Sequence, residues 1–208
     1  MCLRDPRVGL IGANGAGKST LVRLFNGLMR PSQGTVWVDG LEVGRETRQV
    51  RRKVGFLFQS PEAQIVMPTP GEDIAFGLAP LKLGRAETTA RVEAALARVG
   101  LAGFAERPAY ALSGGEKQRL ALAAVLALEP EILLMDEPTT QLDLAGRRLF
   151  ARLMADLPQR VVLATHDLEL LAPFDRVLVL DGGQVVADGP PAEACAFYEA
   201  LIAGRERP

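Results

Sequence analysis

"GANGAGKST", residues 12–20, is flanked by "VGLI" at 8–11 and "LVRLFNGL" at 21–28. It fits G-x-x-x-x-G-K-[ST], a pattern that has mechanical meaning only where a strand passes through a loop into a helix. Both flanks meet that condition. "VGLIG" reads as a short buried strand, and "KSTLVRLFNGL" at 18–28 as a helix opening at the lysine. The glycines let backbone N–H groups along Gly12, Ala13, Asn14, Gly15, Ala16 and Gly17 turn toward an anion. The helix start, Lys18 to Thr20, adds a positive partial charge. Lys18 is placed to reach phosphate oxygens, and the Ser19 hydroxyl to ligate Mg²⁺.

Working outward, short apolar runs alternate with helix-like segments. "GTVWVDG" at 34–40, "VGFLFQ", "ILLMDE", "VVLATH" and "RVLVLD" read as strands, and their alternation with helices predicts a mainly parallel α/β sheet. Ligands of such sheets gather at the carboxyl ends of the strands. Gln59, Asp136 and His166 are therefore expected on one rim. Asp136 ends an apolar strand where a metal-holding acid belongs, and Glu137, one position on, is a candidate general base. Residues 70–125 read differently. They carry helical periodicity without a strand, and Val92, Leu96 and Val99 form one apolar stripe. We expect one domain over 1–208, with an α/β core from 1–69 and 126–208 and an inserted helical subdomain over 70–125.

Composition narrows the function. A net charge of -1 gives no general reason to expect a nucleic-acid partner, and the basic run "GRETRQVRRK" at 44–53 reads as a solvated helical face. Two cysteines at opposite ends, Cys2 and Cys195, suit a reducing cytosol better than a disulfide framework. The longest apolar stretch, "LALAAVLAL" at 120–128, is far short of the ~20 residues that span a bilayer, so any work at a membrane requires another subunit.

One motif is surplus. "LSGGEKQR" at 112–119 supplies a second phosphate-binding element, with Ser113 as a helix N-cap and backbone N–H groups at the helix start. Taken with "GANGAGKST", "FLFQ", "ILLMDEPT", "LD" at 142–143 and "ATH" at 164–166, it resembles the nucleotide-binding subunit of ABC transporters, in that family's order and over almost the whole chain. The resemblance implies a P-loop ATPase using ATP and Mg²⁺. It gives Gln59 the sensing of Mg²⁺ and water, His166 contact with the γ-phosphate, and Asp143 coupling across a dimer. Ser113, Gly114 and Gly115 would meet ATP held by another chain. The surplus element thus implies a head-to-tail dimer, of identical subunits or paralogues.

The stretch "FQSPEAQIVMPTPGEDIAFGLAPLKLG" at 58–84 is similar to the corresponding region of energy-coupling-factor ATPases, which drive uptake of vitamins and transition-metal ions such as biotin and cobalt. Its matching elements include a second glutamine, Gln64, and the run "ED-x-AFG". A transmembrane coupling subunit is expected to dock near 59–80, which would hold the chain at the cytoplasmic face of the membrane. Other ABC importers and exporters are the alternative. ABC-type ATPases of DNA repair need a long insertion between Lys18 and Ser113, and those of translation need a second cassette. Two features depart from the family pattern. No Tyr, Trp or Phe precedes Gly12 to stack on adenine, so the base is held without stacking or by residues upstream of Met1. Gln141 replaces the usual small residue in "PTTQLD".

Overall fold

A computed structural model describes residues 2–205. In chain order its elements begin with β1 (Arg7–Ile11), α1 (Lys18–Phe25), β2 (Trp37–Val38), β3 (Leu41–Glu42), α2 (Val43–Lys53) and β4 (Val54–Leu57). Three helices follow, α3 (Pro70–Leu78), α4 (Arg85–Arg98) and α5 (Gly114–Leu126). The last part holds β5 (Ile132–Asp136), α6 (Leu144–Ala155), β6 (Arg160–Ala164), β7 (Arg176–Asp181), β8 (Gln184–Gly189) and α7 (Pro191–Arg205). The chain divides into two compact units. The first comprises the residues up to Val54, Glu131–Glu137 and those from Pro158 onward; the second comprises Gly55–Pro130 and Pro138–Leu157. The boundaries expected at 70 and 125 both fall inside the second unit, which also takes in α6.

In the first unit the strands run β5-β6-β1-β7-β8. β1 pairs in parallel with β6 and β7, β5 pairs in parallel with β6, and only β8 turns back on β7 as an antiparallel hairpin. The parallel strands are apolar along their length because they bury both faces. Val8, Leu10, Leu133, Leu163, Val177 and Leu178 are all inaccessible. Each such side chain contributes roughly 1.5–3 kcal/mol by leaving water.

Two predicted elements are shorter than the sequence suggested. The strand expected over 34–40 is reduced to Trp37–Val38, because Asp39 (φ 48°) and Gly40 (φ 79°) form a two-residue turn that folds β3 back onto it. Two consecutive positive φ values are the signature of the tight turn that Asp-Gly favours. Helix α1 stops at Phe25 rather than Leu28, since Gly27 adopts φ 70° immediately after the Asn26 cap. The basic run forms α2, with Arg45, Arg48 and Arg52 in solvent.

The second unit is helical beyond β4. Ile74 and Leu78 of α3, Val92 and Leu96 of α4, and Leu120, Ala121 and Leu122 of α5 are buried in its core. The stripe read from the sequence is inside, Val99 included. Helices α3, α5 and α6 start on side-chain caps, whereas α4 follows Gly84 without one. Thr69 Oγ1 accepts from Glu72 N ahead of Pro70, and Asp143 Oδ1 accepts from Gly146 N at 2.7 Å to open α6. Ser113 and Glu116 form a reciprocal capping box, which opens α5 at Gly114 with Ser113 as the N-cap. Asp73, buried in α3, accepts from Val66 N at 2.8 Å and Met67 N at 3.1 Å and so fixes the loop before the helix.

Candidate active site

The first unit brings five predicted site residues together: Lys18, Ser19, Asp136, Glu137 and His166. The loop between β1 and α1 owes its shape to glycines. Gly15 (φ 81°) and Gly17 (φ 103°) hold left-handed backbone, and a Cβ on Gly12 would lie 2.3 Å from the Leu180 carbonyl oxygen. Ala16 N donates to Ala13 O at 3.1 Å and closes the turn. Helix α1 then starts at Gly17 with no side-chain cap and no acidic residue in its first turn. Its leading N–H groups and dipole are therefore left for an anion.

Lys18 is 5% exposed, and its ammonium donates to Gly12 O at 2.7 Å and Ala13 O at 3.3 Å. It also lies 3.4 Å from Glu137 Oε1. The other carboxylate oxygen of Glu137 sits 2.6 Å from His166 Nδ1 and accepts from His166 N at 3.3 Å. Glu137 is itself buried and has φ 50°, a left-handed conformation rare outside glycine and characteristic of sites where geometry overrides backbone preference. A lysine, a carboxylate and an imidazole thus form one continuous chain of contacts. Beside it, Ser19 Oγ donates to Asp136 Oδ1 at 2.7 Å, and Asp136 is 1% exposed.

The sheet explains this convergence. Asp136 ends β5, opposite Ala164 in the parallel register, and His166 follows two residues beyond β6. Adjacent parallel strands deliver both side chains to one edge, as the strand-end rule requires. Glu137 N donates to Ala164 O at 2.8 Å, which locks the step between the two strands.

The glycine-rich loop and Thr20 lie in the same first unit, whereas Gln59, Ser113, Gly114, Gly115 and Asp143 belong to the second unit. Gln59 lies two residues past β4 with its side chain exposed. Ser113 and Gly114 are exposed at the start of α5, with Gly115 next in line. The Glu116 carboxyl is held below its ordinary value of 4.5, chiefly because it accepts from the Ser113 backbone N–H. Asp143 caps α6, a structural duty that its sequence motif did not announce. Gln64 bridges within this unit, its Oε1 accepting from Phe58 N and its Nε2 donating to Ala121 O, each at 3.2 Å. Glu62 lies 3.4 Å from Lys117, one turn earlier on the same helix as Ala121.

Sequence reasoning missed two contributors. Arg23 NH2 lies 3.3 Å from Asp136 Oδ2, and its signal was the four-residue spacing from Ser19 along α1. Gly183 N donates to Ala16 O at 3.1 Å, so the turn of the β7–β8 hairpin props the glycine-rich loop from behind. The adjacent glycines of "DGG" at 181–183 marked a turn but not what it touches.

Known proteins share this sequence and fold over nearly its whole length. The ABC transporter family profile matches residues 2–140. The biotin transport ATP-binding protein BioM of Rhizobium etli is 50% identical over 203 residues, spanning 98% of this chain and 90% of BioM. CbiO1 of Clostridium perfringens, itself part of the ABC transporter complex cbiONQ, superposes with a TM-score of 0.85 at 34% identity. That match spans 100% of this chain and 86% of CbiO1. The ATP-binding cassette MJ0796, solved as a dimer in a post-hydrolysis state with ADP and Pi, superposes with a TM-score of 0.82 at 29% identity, over 92% of this chain and 88% of MJ0796.

Proposed function

The chain belongs to the ABC transporter family, whose activity is ATP hydrolysis coupled to transport, and on that footing we propose that it powers an energy-coupling-factor importer. The cargo class is a vitamin, biotin first, or a transition-metal ion such as cobalt or nickel. The observation that carries the ATPase chemistry is the contact chain Lys18–Glu137–His166 beside the Ser19–Asp136 pair. Glu137 takes a proton from the attacking water as general base, and His166 fixes the carboxylate's orientation from 2.6 Å. Lys18 and the leading N–H groups of α1 bind phosphate oxygens.

The donor chemistry fits magnesium. A hydroxyl and a carboxylate, 2.7 Å apart at a helix start, are the hard oxygen ligands this ion takes from proteins. Among the described residues there is no cluster of three or more His, Cys, Asp or Glu to form a fuller cage, which suits an ion completed by phosphates and water. Magnesium bound there supplies charge neutralisation at the phosphates. Ser19 and Asp136 would be its protein ligands, and Gln59 is the third candidate.

We assign the signature residues Ser113, Gly114 and Gly115 to the ATP of a second ATPase subunit, in a head-to-tail dimer of identical or paralogous chains, with Asp143 coupling the two sites. The transmembrane partner docks near 59–80, where Val66 (63% exposed) and Phe76 (56% exposed) offer apolar surface. Among the described residues no helix is long and apolar enough to cross a membrane. Docking on that partner would hold the chain peripherally at the cytoplasmic face. The importer reading is supported by the 58–84 segment and by the relatives named for biotin transport and for cbiONQ. It is tested by affinity-purifying the chain from its native membranes and assaying the recovered complex, in vesicles, for ATP-dependent uptake of labelled biotin, cobalt and nickel. Uptake of one cargo supports the reading. Recovery with membrane subunits that export a solute, or with none at all, overturns it.

A further inference from the structure

Asp136 presents an electrostatic problem whose solution lies on α1. Its carboxylate is 1% exposed, and an isolated charge so far from water is costly unless countered. The Ser19 hydroxyl gives Oδ1 one hydrogen bond but no countercharge. Lys18 is committed elsewhere, to Gly12 O, Ala13 O and Glu137. The positive charge on Asp136 comes instead from Arg23, whose NH2 reaches Oδ2 at 3.3 Å. Ser19 and Arg23 are one helical turn apart, so the same face of α1 delivers a hydroxyl to one carboxylate oxygen and a guanidinium to the other.

Two features mark this pair as one built to be broken. The Arg23 side chain is 42% exposed, so its charged end can leave for water without becoming a buried orphan. Its grip is also incomplete, since the buried Nε of Arg23 makes no hydrogen bond among the described residues. A structural arginine would be expected to use its fork in full against a carboxylate.

We propose that Arg23 is a positioning residue that acts as a placeholder cation, holding Asp136 in shape until a divalent ion takes over the carboxylate. The inference rests on the reading of Ser19 and Asp136 as magnesium ligands. A guanidinium and a divalent cation on one carboxylate repel each other, so metal entry requires Arg23 to give up Oδ2. Arg23 therefore competes with the metal rather than assisting it, and the sign of its mutational effect is fixed in advance.

The test is Mn²⁺ binding to the full chain with saturating ADP, followed by electron paramagnetic resonance, which needs no turnover. Arg23→Met is expected to lower the Mn²⁺ midpoint by about three- to fivefold, the upper end for one partly solvated charge pair. Thermal unfolding without metal should occur at lower temperature in that variant, and added Mn²⁺ should restore more of the loss than in the parent. Arg23→Lys, which keeps the charge, should stay within about twofold of the parent midpoint. Arg23→Gln is expected to behave as Arg23→Met and serves in its place should the methionine variant not fold. An unchanged or raised midpoint in the neutral variants overturns the placeholder role. Asp136→Asn separates this from failure of the underlying reading. If that change leaves Mn²⁺ affinity intact, the metal does not sit on Asp136 and the whole inference falls. If it abolishes binding while the Arg23 variants bind as the parent does, only the role of Arg23 falls.

Discussion

Replacing Glu137 by Gln removes a negative charge and a proton acceptor while changing almost nothing in volume. The carboxylate contacts Lys18 through one oxygen at 3.4 Å and His166 through the other at 2.6 Å. Lys18 keeps two carbonyl partners after the change, Gly12 O at 2.7 Å and Ala13 O at 3.3 Å, so it is not stranded. The stability cost should then be on the order of 1–2 kcal/mol, a shift of about 2–8 °C in Tm for a chain of this size. Loss of a general base costs far more in rate, roughly 10²–10⁴-fold, or about 2.7–5.5 kcal/mol on the barrier. Steady-state phosphate release at saturating ATP measures the second quantity, and calorimetric unfolding the first. A fluorescent ATP analogue should still bind to the variant, and ATP should trap it as a dimer on size-exclusion chromatography. His166→Ala, measured beside it, should lower turnover less. The double variant should be no slower than Glu137→Gln alone, because the imidazole acts through the carboxylate. Turnover within about tenfold of the parent in Glu137→Gln would remove Glu137 from the base role, and additive losses in the pair would separate His166 from it.

Three further outcomes follow from single contacts. Gly12→Ala puts a methyl 2.3 Å from the Leu180 carbonyl oxygen, so the loop backbone must shift; a cost of about 1–3 kcal/mol and weaker binding of a fluorescent ATP analogue are expected, and an unshifted Tm with parental affinity would contradict the clash. Asp73→Ala leaves the N–H groups of Val66 and Met67 without their carboxylate and should cost about 2–4 kcal/mol in urea unfolding, whereas Asp73→Asn, which keeps an acceptor, should cost markedly less. The Glu116 carboxyl has its folded pKa depressed below 4.5, so its stabilisation is present above that value and is lost as pH falls through the folded pKa. The Tm gap between parent and Glu116→Gln should accordingly be open at pH 6 and narrow as the pH falls below 4.5. A gap that stays constant over that range would mean the capping charge is not its source.

How much of this was legible in the sequence depends on how local each determinant is. The glycine-rich loop announced itself because its function requires backbone conformations that few residues supply, and those residues are contiguous. The strand ends carrying Asp136 and His166 were legible because an apolar run stops where a polar side chain begins. The Arg23–Asp136 pair was hidden, since it joins positions far apart in the chain and nothing at position 23 departs from ordinary helix composition. The left-handed backbone of Glu137 was equally invisible, because the residue type argues against it. Asp143 was read through a motif as a coupling residue, and its cap on Gly146 N became apparent only once α6 was seen to start at Leu144.

The surplus phosphate element is where local and functional readings compete most directly, because the same serine caps a helix and is assigned to a partner's ATP. The hydrogen-bond geometry removes the conflict. Ser113 Oγ accepts from Glu116 N, the third helical N–H, and Glu116 returns a bond to Ser113 N. That reciprocal box uses the cap residue and the third position and leaves the first two, Gly114 and Gly115, which by position have no intrahelical acceptor. A Cβ at Gly114 would meet nothing within 4 Å, and one at Gly115 would meet only the Leu142 side chain at 3.8 Å. Neither glycine adopts positive φ, so conformational need does not account for them, and the proposed approach of a partner's phosphate does. A side chain there would stabilise the helix and narrow the approach. The capping box holds the helix start by itself, and the two glycines forgo about 1 kcal/mol each of helix propensity, a loss that the proposed anion at these positions would account for.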